Sequence, residues 1–260
     1  MPDLAPSSPG APSHAAVRLD PPPRTLASRV WFGWLAVLTG LLSALLSPPL
    51  VLHSFVRPTA RSFATWMRPW ARGILRGAGI RLRVIGSVPD GPVVFASNHQ
   101  SSLDVPVTAA GLPRPFLYVA RHELRSWPIV GWVLEKSACV FIRRDNPRAA
   151  LKSLRAAGER VRGGESVLLF PEGGRSYMHG TRRFMNGAFL LAIEAGVPVV
   201  PVAMVGNVGV ADERAKVARP GEVHLVLGEP IPTDGLGRRD AAALCTRVQA
   251  AVDAMMAAYG

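Results

Sequence analysis

His99 and Asp104, in the run Ser97-Asn98-His99-Gln100-Ser101-Ser102-Leu103-Asp104, are the residues of this chain best suited to chemistry. A neutral imidazole can take a proton from a hydroxyl near neutral pH, since its unperturbed pKa is about 6.5. A carboxylate on the other ring nitrogen fixes the tautomer and stabilises the imidazolium that forms. The two positions are five residues apart, which on a helix would turn their side chains to well-separated faces. They therefore belong on a loop that leaves the apolar strand Pro92-Val93-Val94-Phe95-Ala96 and enters a helix. Asp104 also has a purely structural reading: with Pro106 two positions on, it makes a good N-cap for a helix from Val105 to about Ala110. Both readings stay open on the sequence.

A protein nucleophile is harder to find. Ser101 and Ser102 lie very close to His99 along the chain, and no Gly-x-Ser-x-Gly elbow is present. A hydroxyl of the substrate is then the attacking group. Two later segments suggest an anionic substrate. Arg143 and Arg144 end the strand Val140-Phe141-Ile142, a position suited to bidentate phosphate binding. In Phe170-Pro171-Glu172-Gly173-Gly174-Arg175-Ser176 a strand stops at proline, and the glycines let backbone N–H groups converge on an anion. Arg175 would add charge there, and Glu172 could hold Arg144 or Arg175, or bind substrate hydroxyls.

The elements that must carry these residues form an α/β pattern from about residue 80. Apolar strand candidates are 80–85, 92–96, 115–119, 138–142, 166–170, 198–204 and 222–228. A helix is expected from Pro147 to Arg162, capped by Asn146 and stopped by Gly163-Gly164, with Leu151, Leu154, Ala157 and Val161 on its apolar face. Others are expected over 187–195 and about 239–257. The alternation predicts an α/β fold with a single mixed, largely parallel sheet flanked by helices.

The first 80 residues differ in kind. Residues 1–24, rich in Pro, Ala and Ser, are expected to be a disordered leader. Residues 30–56 contain no Lys, Arg, Asp or Glu, and Pro48-Pro49 should split them, leaving a helix over 30–47 at the lower limit for spanning a bilayer. A helix lying in one leaflet and a cleaved signal peptide are the other readings, the latter weakened by the long Pro-rich leader. Between Arg57 and Pro89 stand 7 Arg and no acid, out of a net charge of +12 for 260 residues. Arg beside Trp66 and Trp70 suits a helix at lipid-headgroup depth. Residues 25–79 thus read as a membrane-associating helical pair and 80–260 as the α/β domain, on the cytoplasmic face of the cytoplasmic membrane by the excess of Arg after the apolar run. The basic block adjoins an apolar run and no nucleic-acid-binding motif is present, so anionic membrane lipids are the expected partner and nucleic acid is not. Cys139 and Cys245 read as free thiols in a reducing compartment, with no metal site.

The run Asn98 to Asp104 resembles the His-x4-Asp motif of the 1-acylglycerol-3-phosphate O-acyltransferase family of glycerolipid acyltransferases. Arg144 is similar to that family's strand-end arginine, Phe170 to Ser176 to its Phe-Pro-Glu-Gly motif, and Val197-Pro198-Val199-Val200-Pro201-Val202 to its fourth block. The blocks occur in family order over about residues 80–235. The resemblance implies acyl transfer from acyl-CoA or acyl-carrier protein, without further cofactor, to the 2-hydroxyl of lysophosphatidic acid, giving phosphatidic acid. It makes His99 the base and Asp104 its partner, and gives substrate binding to Arg144, Glu172, Gly173, Arg175, Asn98 and Ser102. Three positions depart from the pattern. Gly174 replaces a usual Thr, Met185-Asn186 replace a basic pair, and Arg143 stands where Asp is common; Arg182 and Arg183 could restore the lost charge. The departures leave room for another acceptor such as lyso-ornithine lipid. A membrane-bound esterase using Ser101 is the alternative of a different class.

Overall fold

The computed structural model describes residues 17, 19–56, 59–126, 131, 134–135, 139–143 and 147–260. Two long helices open it, α1 (Leu26–Val56) and α2 (Ala60–Gly77). Pro48 and Pro49 do not divide α1, contrary to the expectation from sequence. Proline keeps a helical φ and loses only its own N–H bond and some room at the preceding turn. Leu50 and Val51, both buried just beyond the prolines, provide packing that offsets that loss.

The two helices are held together by indoles. Trp31 and Trp34 of α1 donate to the carbonyls of Ala78 and Gly77, at 3.2 and 2.8 Å. Trp66 and Trp70 of α2 donate to His53 Nδ1 and Ser43 Oγ of α1, at 3.1 and 3.0 Å. Trp66 and Trp70 therefore face α1. Glycine permits the close approach: a Cβ on Gly77 would stand 2.6 Å from Leu38 Cδ2. The other side of α1 is open, with Leu26, Val30, Val37, Leu41 and Leu45 exposed at helical spacing. The segment Leu26–His53 is long and apolar enough to cross a membrane, with a mean hydropathy of 2.0 over its most apolar window.

The α/β part follows as β1 (Ile80–Ile85), β2 (Val94–Ser97), α3 (Asp104–Gly111), β3 (Phe116–Arg121), β4 (Val140–Ile142), α4 (Pro147–Arg162), β5 (Ser166–Leu169), α5 (Leu190–Ala195), β6 (Val199–Val205), α6 (Asn207–Val210), β7 (Ala211–Asp212), β8 (Val217–Ala218), β9 (Gly221–Leu227) and α7 (Ala241–Tyr259). The seven-stranded sheet has the order β1-β9-β6-β2-β5-β3-β4. All its neighbours are parallel except β6 and β9. A sheet covered on both faces needs apolar strands without alternation, and β2, β5 and β6 are buried at every position. β7 and β8 form a separate two-stranded hairpin that the sequence patterning did not indicate.

One face of the sheet packs against α4, α5 and α7, as Val94, Val167 and Val199 join Ala157, Leu191 and Val248 in a single cluster. On the other face Phe95, Phe116 and Leu168 share a cluster with Leu50, Phe63 and Leu75 of the N-terminal helices. Helix pair and sheet thus have a core in common. Val17 belongs to the first cluster at 6% exposure, so the expected disorder does not extend to residue 24. Its apolar side chain and that of Leu19 find apolar surface to cover.

Candidate active site

The site is built where β2 ends. Asn98 follows β2 and is fully buried. Its amide donates to the Met204 carbonyl at 2.9 Å and accepts from the Met204 N–H at 2.7 Å. The side chain thereby continues the β2–β6 ladder one step past Ser97. Both ends of the amide bond backbone, so Asn98 braces the loop.

His99 and Asp104 meet. His99 Nδ1 lies 2.7 Å from Asp104 Oδ2, with the imidazole 18% exposed and the carboxylate fully buried. An ionised carboxylate only accepts, so Nδ1 carries the proton and Nε2 keeps a lone pair. The same Oδ2 accepts from the N–H groups of Gln100 and Ser101, at 2.6 and 3.0 Å. Asp104 therefore does not cap α3; it is that helix's first residue, and Leu103 stands at the cap without a side-chain bond. The carboxylate turns back into the preceding loop and draws it around His99. Phe170 stacks on the imidazole with ring centres 4.1 Å apart, which fixes the ring plane.

Glu172 secures the loop from the other side. Its Oε1 accepts from the His99 N–H at 2.7 Å and its Oε2 from the Arg182 N–H at 3.0 Å. Burial pushes this carboxyl up, against the pull of those two donors. Each oxygen is thus engaged by a backbone N–H, with Arg175 paired elsewhere, so Glu172 holds the site together where a substrate contact was expected. The Ser176 N–H completes the seam by donating to the His99 carbonyl at 2.7 Å. Gly173 closes a turn by donating to the Phe170 carbonyl at 3.0 Å, with φ at +77°, a value that favours glycine.

His99 opens onto a cleft of about 530 Å³ whose wall is almost wholly apolar. Gly173, Gly174, Met185 and Phe170 line it near the imidazole, Tyr118, Ile142 and Leu154 come from the sheet and α4, and Leu46, Leu50, Phe63, Trp66 and Trp70 from α1 and α2. The last group came from the segment read as an anchor, and no sequence pattern marked it as part of the site. Thr108 and the Val105 carbonyl bond the Tyr118 hydroxyl, and burial pushes its ionisation upward, so this phenol stays neutral.

Other expected residues lie elsewhere. Arg175 donates to Glu213 at 2.7 Å and lies over the Tyr177 ring, away from the cleft wall. Ser102 is exposed and is not among the residues lining the cleft. Ser101 is buried; its Oγ accepts from the Leu103 N–H at 3.3 Å, and among the described residues it makes no hydrogen bond to His99. That geometry removes the support for a serine nucleophile. Arg144 and Asn146 lie outside the described residues; Arg143 is exposed at the end of β4. Arg182 is exposed, with Nη1 3.9 Å from where a Cβ on Gly174 would stand, which sets its guanidinium beside this cleft-lining glycine. Sequence reasoning missed Asn207, buried and donating from Nδ2 to Asp104 Oδ1 at 2.5 Å. Among the described residues no cluster of three or more His, Cys, Asp or Glu side chains forms a metal site.

Known proteins resemble this chain in sequence and in fold. A family model described as acyltransferase matches residues 80–205. A lyso-ornithine lipid O-acyltransferase of Pseudomonas aeruginosa is 32% identical over 72% of this chain and 76% of its own length. A 1-acyl-sn-glycerol-3-phosphate acyltransferase of the same organism is 31% identical over 85% of this chain and 86% of its own. The fold matches the crystal structure of the 1-acyl-sn-glycerophosphate (LPA) acyltransferase PlsC of Thermotoga maritima, with a TM-score of 0.75, 22% identity, and coverage of 90% of this chain and 97% of that one. With four ordered sequence blocks, a shared fold and relatives matched over most of their length, the chain belongs to the 1-acylglycerol-3-phosphate O-acyltransferase family of glycerolipid acyltransferases.

Proposed function

We propose that this acyltransferase moves an acyl group from acyl-CoA or acyl-carrier protein to the 2-hydroxyl of lysophosphatidic acid, forming phosphatidic acid, with His99 as general base. The observation that carries the reading is an imidazole, oriented by a buried carboxylate, at the mouth of an apolar cleft. His99 Nε2 takes the acceptor's hydroxyl proton as the oxygen attacks the thioester carbonyl. The developing imidazolium is balanced by Asp104. The tetrahedral intermediate collapses with cleavage of the C–S bond, and the thiolate recovers the proton from His99. No covalent acyl-enzyme is formed and no metal is required. The cleft is wide and apolar enough to take an acyl chain, and its floor of α1 and α2 residues suits substrates that reside in a bilayer.

For the acceptor, the Arg182 guanidinium beside Gly174 offers charge for a phosphate. A lyso-ornithine lipid acceptor is the second reading. It is favoured by the 32%-identical relative of that name and by Met185 in the cleft wall, which carries no charge. We further propose that α1 seats the protein on the cytoplasmic face of the cytoplasmic membrane among anionic lipids, in keeping with the seven arginines that follow it before Asp90. Incubation of the purified protein with labelled acyl-CoA and a panel of lyso-lipids, with His99→Ala as control, tests the whole. His99-dependent phosphatidic acid is the expected product. Label appearing only in acylated ornithine lipid would replace the acceptor, and transfer undiminished by His99→Ala would remove the mechanism.

A further inference from the structure

Asp104 has two carboxylate oxygens, and the dyad with His99 uses only one. Oδ2 is filled by His99 Nδ1 and by the N–H groups of Gln100 and Ser101. Oδ1 takes a single side-chain donor, Asn207 Nδ2, at 2.5 Å. The orientation of that amide is chemically determined, because an ionised carboxylate cannot donate and so faces the NH2 end. Both groups are fully buried.

Asn207 arrives there by a sharp change of direction. β6 ends at Val205, and Gly206, with φ at +91°, turns the chain into α6, whose first residue is Asn207. A side chain at Gly206 would meet the Glu222 carbonyl at 3.0 Å and Val17 closer still, so a glycine is what lets Asn207 approach so closely. The other end of the amide gains nothing from burial: Asn207 Oδ1 has no hydrogen-bond partner among the described residues. A residue present only to pack would do better as an apolar side chain of the same size. Nδ2 also lies 3.7 Å from Met204 Sδ, a weak acceptor, so the bond to Asp104 is the main contribution of the amide.

We propose that Asn207 is a positioning residue for the acyl-transfer reaction, acting through Asp104: it clamps the carboxylate oxygen that His99 does not use, and so keeps the other aimed at Nδ1. The inference rests on the reading of His99 as the base. Without this clamp the carboxylate is held through Oδ2 alone, its angle about χ2 is less closely fixed, and its hold on the tautomer of the imidazole is weaker.

The test is a double-mutant cycle on the full-length protein, read in kcat for acyl transfer to whichever lyso-lipid gives His99-dependent turnover. Asn207→Leu should lower kcat by about tenfold or more, with the acceptor KM within about twofold. In an Asp104→Asn background, the same substitution should change kcat by less than about twofold, because the group it acts through is already altered. Equal losses in both backgrounds would overturn the proposal, as would an unchanged kcat for Asn207→Leu alone. Asn207→Ser, which retains a donor of shorter reach, serves the same cycle if the leucine variant does not fold. A second readout needs no turnover. The ring-nitrogen NMR signals of His99 should report Nδ1–H in the wild type and a mixture of tautomers in the variant. Unchanged tautomer signals in the variant would overturn the inference. Lack of His99-dependent transfer in the wild type would refute the proposed function instead, leaving the clamp to be judged by those signals.

Discussion

The Glu172 carboxylate bridges two segments of backbone, the N–H of His99 at 2.7 Å and the N–H of Arg182 at 3.0 Å. The residue proposed to take the proton and the residue proposed to meet the acceptor's anion are therefore coupled through one side chain. Glu172→Gln keeps the shape but turns an NH2 toward one of those N–H groups, losing a bond. We expect kcat to fall by about tenfold, on the scale of a lost charge-assisted hydrogen bond. Acyl-transfer kinetics of the variant check this.

The same residue gives a pH prediction with a definite sign. Burial raises the Glu172 carboxyl in the folded state. Its contribution to stability is thus fully present below the unfolded carboxylate range, near pH 4, and is lost as pH rises through the raised folded value. Glu172→Gln removes that dependence. Thermal midpoints measured from pH 4 to 7 should show the wild type losing ground to the variant as pH rises; a wild type that gains ground contradicts the assignment.

Asp104→Asn tests the dyad. The amide cannot accept from all of His99, Gln100, Ser101 and Asn207, and it cannot balance an imidazolium. Turnover should drop by about 10²- to 10⁴-fold, as for loss of general-base function, while the fold persists. Circular dichroism and single-turnover transfer together separate the two outcomes.

Much of this site is legible in the sequence, and the reasons are local. His99 and Asp104 stand at either end of one short connection between β2 and α3, so their spacing alone points to the pairing. The central strands β2, β5 and β6 stand out as apolar runs because they are buried on both faces. The bracing contacts of Asn98 and Glu172 were not legible, since their partners are backbone atoms of Met204, His99 and Arg182, which side-chain chemistry does not reveal. Asn207 was invisible because 103 residues separate it from Asp104 and no pattern links them. Arg175 seemed to belong to the site by proximity in sequence, yet its guanidinium pairs with Glu213, 38 residues further along the chain, a contact that no local pattern reveals.

Arg182 carries a substrate prediction. Arg182→Gln should raise KM for lysophosphatidic acid by about 10- to 100-fold, the range of a charge-assisted bond to phosphate, with kcat little changed. An acceptor without phosphate should respond less. Equal effects on both acceptors would show that Arg182 does not read the headgroup.

The hairpin of α1 and α2 yields to a steric test. Gly77→Leu adds carbons where Leu38 Cδ2 already lies 2.6 Å from the Cβ position. Overpacking of this kind costs about 1–3 kcal/mol. A lowered thermal midpoint in detergent is expected, and an unchanged one would mean that the two helices do not pack tightly in solution.

Leu50, Phe63 and Leu75 share one cluster with Phe95, Phe116 and Leu168. Cutting the gene back to residue 80 would therefore not free a water-soluble catalyst from its tether. It would strip away one side of the chamber and bare the oily underside of the sheet, so whoever wants the enzyme in a tube must bring the greasy hairpin, and something to shield it, along.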